Sequence, residues 1–236
     1  MSSIDRVRIM VLGDSGVGKT SFVHLASHNE PIKSPSWTIG CSVEVKLHEF
    51  KEGTKEQKTF FVEFWDVGGS NNHRNTRQVF YNPCHGAILV HDLTNRKSEE
   101  NLQKWLTELL NREAANGDAN LSGVSSDSED LDVENLLGAN SLMPILLVGT
   151  KLDQVDDKRS NSVNKSSRNR YNSEEILLDC RQARYLAAGT SNAVKLSRFY
   201  DKVIENSLYD RRKNDRFGTN TVAPIFSTKF YSPHQD

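Results

Sequence analysis

GDSGVGKT, residues 13–20, places a lysine and a hydroxyl at the end of a glycine-rich turn and satisfies the spacing G-x-x-x-x-G-K-[ST]. An apolar run, VRIMVL (7–12), precedes it, and a helix-like stretch follows over 19–28. Glycines there let backbone N–H groups turn inward as an anion nest, and the helix adds the partial positive charge of its first turn. Lys19 brings a full charge to the β- and γ-phosphates of a bound nucleotide. The hydroxyl of Thr20 suits Mg²⁺, which prefers hard oxygen ligands in an octahedron. The candidate phosphate-binding residues are Asp14, Ser15, Gly16, Val17, Gly18, Lys19, Thr20 and Ser21.

A second stretch, FFVEFWDVGGSNN (60–72), is a β-prone run that stops at a carboxylate and two glycines. A carboxylate at a strand end beside a phosphate loop can hold Mg²⁺ through water, so Asp66 is a candidate metal residue. Gly69 can offer its N–H to a γ-phosphate because no Cβ blocks the approach. The loop that follows would then respond to a third phosphate.

The elements that must position these groups can be read from pattern. Val7–Leu12 reads as a buried strand, and residues 19–28 as a helix burying Phe22, Val23 and Leu25. Residues 41–50 alternate, with Val43, Val45 and Leu47 on one face, and 59–65 returns as an antiparallel partner. Further strands are expected at 86–90, 145–148 and 176–178. Ser98 is a plausible N-cap for a helix with Leu102, Trp105, Leu106 and Leu109 on one face. A final helix over 194–204 is expected to bury Val194, Phe199, Val203 and Ile204. The fold class is α/β: a mostly parallel six-stranded sheet with one antiparallel edge hairpin and helices on both faces. One domain over 1–208 carries polar insertions at about 111–143, with one short turn near Leu136, and at 154–174; a flexible polar tail covers 209–236.

Composition limits the partners. Of 236 residues, 30 are Lys or Arg and 31 Asp or Glu, a net charge of −1, so nothing draws the whole chain to nucleic acid or an anionic membrane. Cys41, Cys84 and Cys180 form no CxxC pair, which suggests a reduced, cytoplasmic protein. No run approaches 18 apolar residues, and neither end offers a lipidation signal, so no direct membrane anchor is expected. His24 and His28 stand at i, i+4 on one helix. With no third ligand near in sequence they read as surface residues.

GDSGVGKT, TIG (38–40), WDVGG (65–69), HDLTN (91–95) and GTKLD (149–153), together with WTIGCSVEVK and YLAAGTSNAVKLSRFYDKVIE (185–205), resemble in order and spacing the Ras-superfamily small GTPases, as an atypical relative of the Rab branch. The resemblance runs from about Val7 to Glu205 outside the insertions. It implies a P-loop fold that binds GTP or GDP with Mg²⁺. It implies that Thr38 joins Thr20 and Asp66 around the metal. Lys151 would lie along the base and Asp153 would accept from guanine N1–H and N2–H₂, a pattern adenine cannot offer.

Departures from that family pattern are informative. Ser70 stands where the family has the glutamine that orients the attacking water, so no residue is assigned a catalytic role. The serine is too short to reach that water while its hydroxyl also satisfies itself locally, which predicts slow hydrolysis unless a partner helps. Thr150 replaces the family's asparagine, predicting a weaker tether from base loop to phosphate loop. Pro31 replaces the aromatic ring across the base, and Asp179-Cys180 occupies the last base loop by position only. The three aromatics that Rab proteins show to effectors align with Val43, Trp65 and Phe80, the last two of which could equally be core. The expected activity is a regulatory switch or scaffold signalling through loops 30–43 and 67–80, with a homodimer a further expectation. A phosphate-loop phosphotransferase and a nucleotide-free structural protein are the alternatives.

Overall fold

Strand alternation sends successive side chains to opposite faces, and the first strand shows how this divides the core. In the computed structural model, which describes residues 4–81, 83–116, 143–155, 171 and 173–217, β1 spans Asp5–Leu12. Its Val7, Ile9 and Val11 enter one apolar cluster, and Met10 and Leu12 enter another on the opposite face. The remaining strands are β2 (Cys41–Phe50), β3 (Lys58–Val67), β4 (Gly86–Asp92), β5 (Ile145–Thr150) and β6 (Glu174–Leu177). They line up in the order β2-β3-β1-β4-β5-β6. Only β2 and β3 pair antiparallel, the other neighbours being parallel, so the expected sheet is the one observed.

Parallel strands buried on both faces need covering helices. One face is covered by α1 (Lys19–His28) and the last helix, and the other by the helix whose Leu102, Trp105, Leu106 and Leu109 were expected to share a face. Between them lie two short helices, α2 (Arg74–Arg77) and α3 (Arg96–Glu100); the long ones after α1 are α4 (Leu102–Asn116) and α5 (Ser191–Phe217).

Several expected boundaries move. Asn95, not Ser98, caps α3: its side chain accepts from the Lys97 N–H at 3.1 Å. Ser98 is fully buried, and its hydroxyl accepts from Asp92 N–H at 3.0 Å, securing the end of β4. β6 begins at Glu174, inside the expected second insertion, and Tyr171 is buried against α4's face. Helix α5 runs from Ser191 to Phe217, thirteen residues past the expected end at 204. Leu208 carries the apolar face one turn further onto the core, and beyond it charge holds the helix: Arg211 donates to Asp5 at 3.0 Å and to the Arg6 carbonyl at 3.3 Å. Val194 points outward, and Leu196 and Tyr200 join Phe199, Val203 and Ile204 in the core instead. The rest of both insertions, with the turn near Leu136, and the tail beyond 217 lie outside the described residues.

Tyr200 is buried between His48 and Phe64, and its hydroxyl has no hydrogen-bond partner among the described residues. An unpaired buried hydroxyl costs about 1–3 kcal/mol. Tyr200→Phe is therefore expected to raise the unfolding free energy by about 1 kcal/mol, as read from the urea midpoint at unchanged slope.

Candidate functional site

The loop between β1 and α1 turns through Gly16 and Gly18, both at positive φ (78° and 95°). Ser15 is exposed, Val17 buried, and Ser21 half-buried in the first turn of α1. The turn folds Lys19 back over its own loop. The ammonium, only 6 % exposed, donates to the carbonyls of Gly13 and Asp14, each at 2.9 Å. Burial pulls its pKa down to about 8, against the opposing charges of Asp66 and Asp14. A buried ammonium satisfied only by carbonyl dipoles is poised to take a full negative charge. The Asp14 carboxylate is turned away from the nest, accepting from Asn101 Nδ2 at 2.7 Å and Trp105 Nε1 at 2.8 Å on α4.

Beside Lys19, three segments converge on one point. Thr20 Oγ1 donates to Asp66 Oδ2 at 2.5 Å and Thr38 Oγ1 donates to the same oxygen at 3.1 Å. The two hydroxyl oxygens are 2.9 Å apart. Each hydroxyl has one proton, and with both given to Asp66 the two oxygens face each other through lone pairs. Asp66 is 1 % exposed, and its Oδ1 has no hydrogen-bond partner among the described residues. Burial raises its pKa against the hydrogen bonds of Thr20 and Thr38 and the charge of Lys19. Hard oxygens crowded together, with an orphaned carboxylate oxygen among them, fit a small divalent cation such as Mg²⁺.

The glycine pair after Asp66 makes this convergence possible. A Cβ on Gly68 would lie 2.7 Å from the Thr38 carbonyl, and one on Gly69 would lie 2.5 Å from Ser15 N. Gly68 N–H donates to the Gly40 carbonyl at 2.8 Å, joining the two loops directly. Ser70 follows with no side-chain cap hydrogen bond, so the expected local satisfaction of its hydroxyl is not seen.

The segment 67–80, read from sequence as one responsive loop, is divided by an anchor that the sequence did not reveal. Arg77 on α2 donates to both carboxylate oxygens of Glu108 on α4, at 2.7 and 2.6 Å, and to the Ser70 carbonyl at 3.2 Å. Tyr81 Oη donates to Glu108 Oε1 at 2.7 Å. The Arg77 guanidinium stacks 3.8 Å from the centre of the Trp105 ring, whose Nε1 holds Asp14. Removing one partner of such a buried pair costs about 3–5 kcal/mol, so Arg77 stays while residues nearer Gly69 are freer to move.

On the base side, the expected weakening at Thr150 is corrected. Its hydroxyl donates to the Val17 carbonyl in the phosphate loop and lies 3.1 Å from the His91 carbonyl, so a hydroxyl replaces the tether an amide would make. Lys151, at φ 58°, donates to Asp92 Oδ2 at 2.6 Å. The Asp153 carboxylate is paired with Arg181, which also donates to Asp179 from its N–H at 2.9 Å. The Arg181 side chain is 71 % exposed, and its Nε also donates to Asp179 Oδ1 at 3.3 Å. Cys180 is buried, which lifts its pKa to about 12 and leaves it an unreactive thiol.

Of the aligned partner-facing residues, Val43 is exposed, while Trp65 and Phe80 are half-buried against the α4-side core. Trp65 pairs with Val43 across β2–β3 and lies under the Arg8 guanidinium at 3.8 Å. Trp37 at 90 %, Ile39 at 86 % and Val79 at 68 % exposure extend this apolar surface. Their exposure in a loop was not readable from type alone.

The raised pKa of Asp66 has a defined consequence. The folded protein holds this proton more tightly than the unfolded chain, so the contribution is full at low pH. It is lost as pH rises through the folded-state pKa, above the ordinary 3.8. Without divalent cation, wild type should lose thermal stability relative to Asp66→Asn across that window. Mg²⁺ with nucleotide should restore wild type and leave the variant unchanged, as read by melting curves over pH.

Comparison with known proteins agrees with the geometry. Residues 8–121 match the family model described as Roc, the Ras of Complex domain of DAPkinase. Rab-like protein 3 of Bos taurus is 49% identical over 240 residues, covering 95% of this chain and 99% of that protein, and the Homo sapiens protein is 48% identical with the same coverage. Small GTPase LIP1 of Arabidopsis thaliana is 37% identical over 63% of this chain and 42% of its own length. A six-stranded sheet with a phosphate loop on β1–α1, and near-full-length identity of this order, place the chain among the small GTPases, in the Rab-like protein 3 family.

Proposed function

We propose that the protein is a GTP-dependent regulatory switch or scaffold in the cytoplasm, with Mg²⁺ and slow intrinsic hydrolysis. The observation that carries this reading is the meeting of Thr20, Thr38 and Asp66 at a single carboxylate oxygen. These residues come from the phosphate loop, the segment before β2 and the end of β3. Thr20, Thr38 and Asp66 would hold a cation there, and the Lys19 ammonium would meet the negative charge of a triphosphate. Mg²⁺ supplies charge neutralisation for the β- and γ-phosphates. Asp14 to Ser21 cradle them with backbone N–H groups, and Gly69 offers its N–H to the third phosphate.

Base selection rests on Asp153, with Lys151 along the base and Thr150 fixing the loop; Asp179 and Cys180 border the same end. Guanine reaches Asp153 once Arg181 releases it, and an adenine would leave that carboxylate without its two donors. Turnover is slow because Ser70 carries no amide to align water, and the facing Arg77 is committed to Glu108 and to the Ser70 carbonyl. The switch acts on protein partners through loops 30–43 and 67–80. Trp37, Ile39, Val43 and Val79 provide an exposed apolar face backed by Trp65 and Phe80, suited to a protein effector or to a second copy of this chain.

Two measurements test this. Protein purified without added nucleotide and then denatured is expected to release a guanine nucleotide on chromatography; ATP, or no nucleotide, would contradict the reading. Ser70→Gln is expected to accelerate single-turnover phosphate release by about tenfold or more, since a positioned water-orienting group is a recognised part of this chemistry. An unchanged rate would show that the side chain at position 70 does not limit hydrolysis.

A further inference from the structure

His24 and His28 lie one turn apart on α1, and the fold brings to them a residue far away in the chain. Glu44, on the α1-facing side of β2, points its carboxylate between the two rings. Its Oε2 is 2.6 Å from His28 Nε2, and its Oε1 is 4.0 Å from His24 Nδ1. The imidazole centroids are 4.5 Å apart, and one ligand atom from each residue can be chosen so that all three lie within 4.8 Å of one another.

We propose that His24, His28 and Glu44 form a second cation site, for a borderline divalent transition metal of the zinc type, separate from the magnesium site at Thr20, Thr38 and Asp66. Two imidazole nitrogens with one carboxylate oxygen are a donor set that zinc accepts and that magnesium, with its demand for hard oxygens, does not. Zinc bonds of about 2.0–2.2 Å in a tetrahedron place ligand atoms roughly 3.4 Å apart. The present carboxylate–imidazole distances, 2.6 Å to His28 and 4.0 Å to His24, straddle that value. His28 is exposed and Glu44 and His24 half-buried, so small side-chain rotations close the site and leave a fourth position for water.

Position gives the site its meaning. α1 starts at Lys19 and Thr20, and β2 starts three residues after Thr38. Glu44 lies near enough to Asp66 for its negative charge to be felt there. A metal on Glu44 would tie β2 to α1 and neutralise that charge. The strand leaving the Thr38 loop would be stapled to the helix that carries the phosphate-binding lysine. The inference concerns metal binding and stands whether or not the nucleotide reading holds.

The test uses the full chain without an affinity tag, in millimolar magnesium and free of unbound nucleotide. Zn²⁺ is titrated against a chromophoric chelator, and Co²⁺ is followed by its visible absorption. One equivalent of Zn²⁺ is expected to bind, with Co²⁺ giving the intense band of a four- or five-coordinate site. His28→Gln, His24→Ala and Glu44→Gln should each weaken binding by about tenfold or more, while His73→Gln, at an exposed histidine elsewhere, should leave it unchanged. His28→Gln alters an exposed side chain, so its melting curve without zinc should match wild type and keep the test valid if another variant misfolds. Affinity equal in wild type and His28→Gln, or no saturable Zn²⁺ binding by wild type, would overturn the proposal.

Discussion

One carboxylate oxygen organises this molecule. Asp66 Oδ2 accepts hydrogen bonds from Thr20 and Thr38 at the buried end of β3, while Oδ1 of the same group has no hydrogen-bond partner among the described residues. Burying an ionised carboxylate is expensive, and two neutral hydroxyls with the nearby charge of Lys19 offset it only in part, since the Asp66 pKa stays raised. The fold carries that cost at the point where the phosphate loop, the segment before β2 and the glycine pair come within contact. In the proposed switch, a cation would turn the same arrangement from a liability into a clasp and would couple a ligand in the cleft to the position of two loops.

The surrounding structure restricts what can move. Arg77, Glu108 and Tyr81 fix the C-terminal part of the second loop to α4, and Trp105 links the same cluster to Asp14 of the phosphate loop. Charge in this network is buried and paired, so it acts as a rigid backing rather than as a hinge. In the proposed switch, movement would fall to the residues next to Gly68 and Gly69, which press without side chains on the Thr38 loop and the phosphate loop. An alanine at either glycine would drive those backbones apart.

Much of this was legible in the sequence where the signal is local. The glycine-lysine-threonine spacing, the alternating hairpin and the i, i+3, i+4 face of α4 each follow from short-range geometry, and the sheet order agrees with them. What was not legible depends on partners far away in the chain. Arg77 meets Glu108 thirty-one residues later, Arg181 reaches back to Asp153, and Glu44 closes on a pair of histidines that had no third ligand nearby. Thr150 misled in a different way. Its residue type suggested a lost amide, while its position lets one hydroxyl make the contact to Val17. The last turns of α5, past Leu208, escaped because Arg211 and Asp5 hold them by charge, where apolar periodicity carries no signal.

The most direct test of a clasp joining three segments is amide hydrogen exchange across residues 30–43 and 67–73, with Mg²⁺ and a non-hydrolysable guanosine triphosphate analogue, with Mg²⁺ and GDP, and with neither. The account predicts that both segments exchange more slowly together, and only with the triphosphate and the metal present. Exchange that is the same in all three conditions, or slowed in one segment alone, would contradict it.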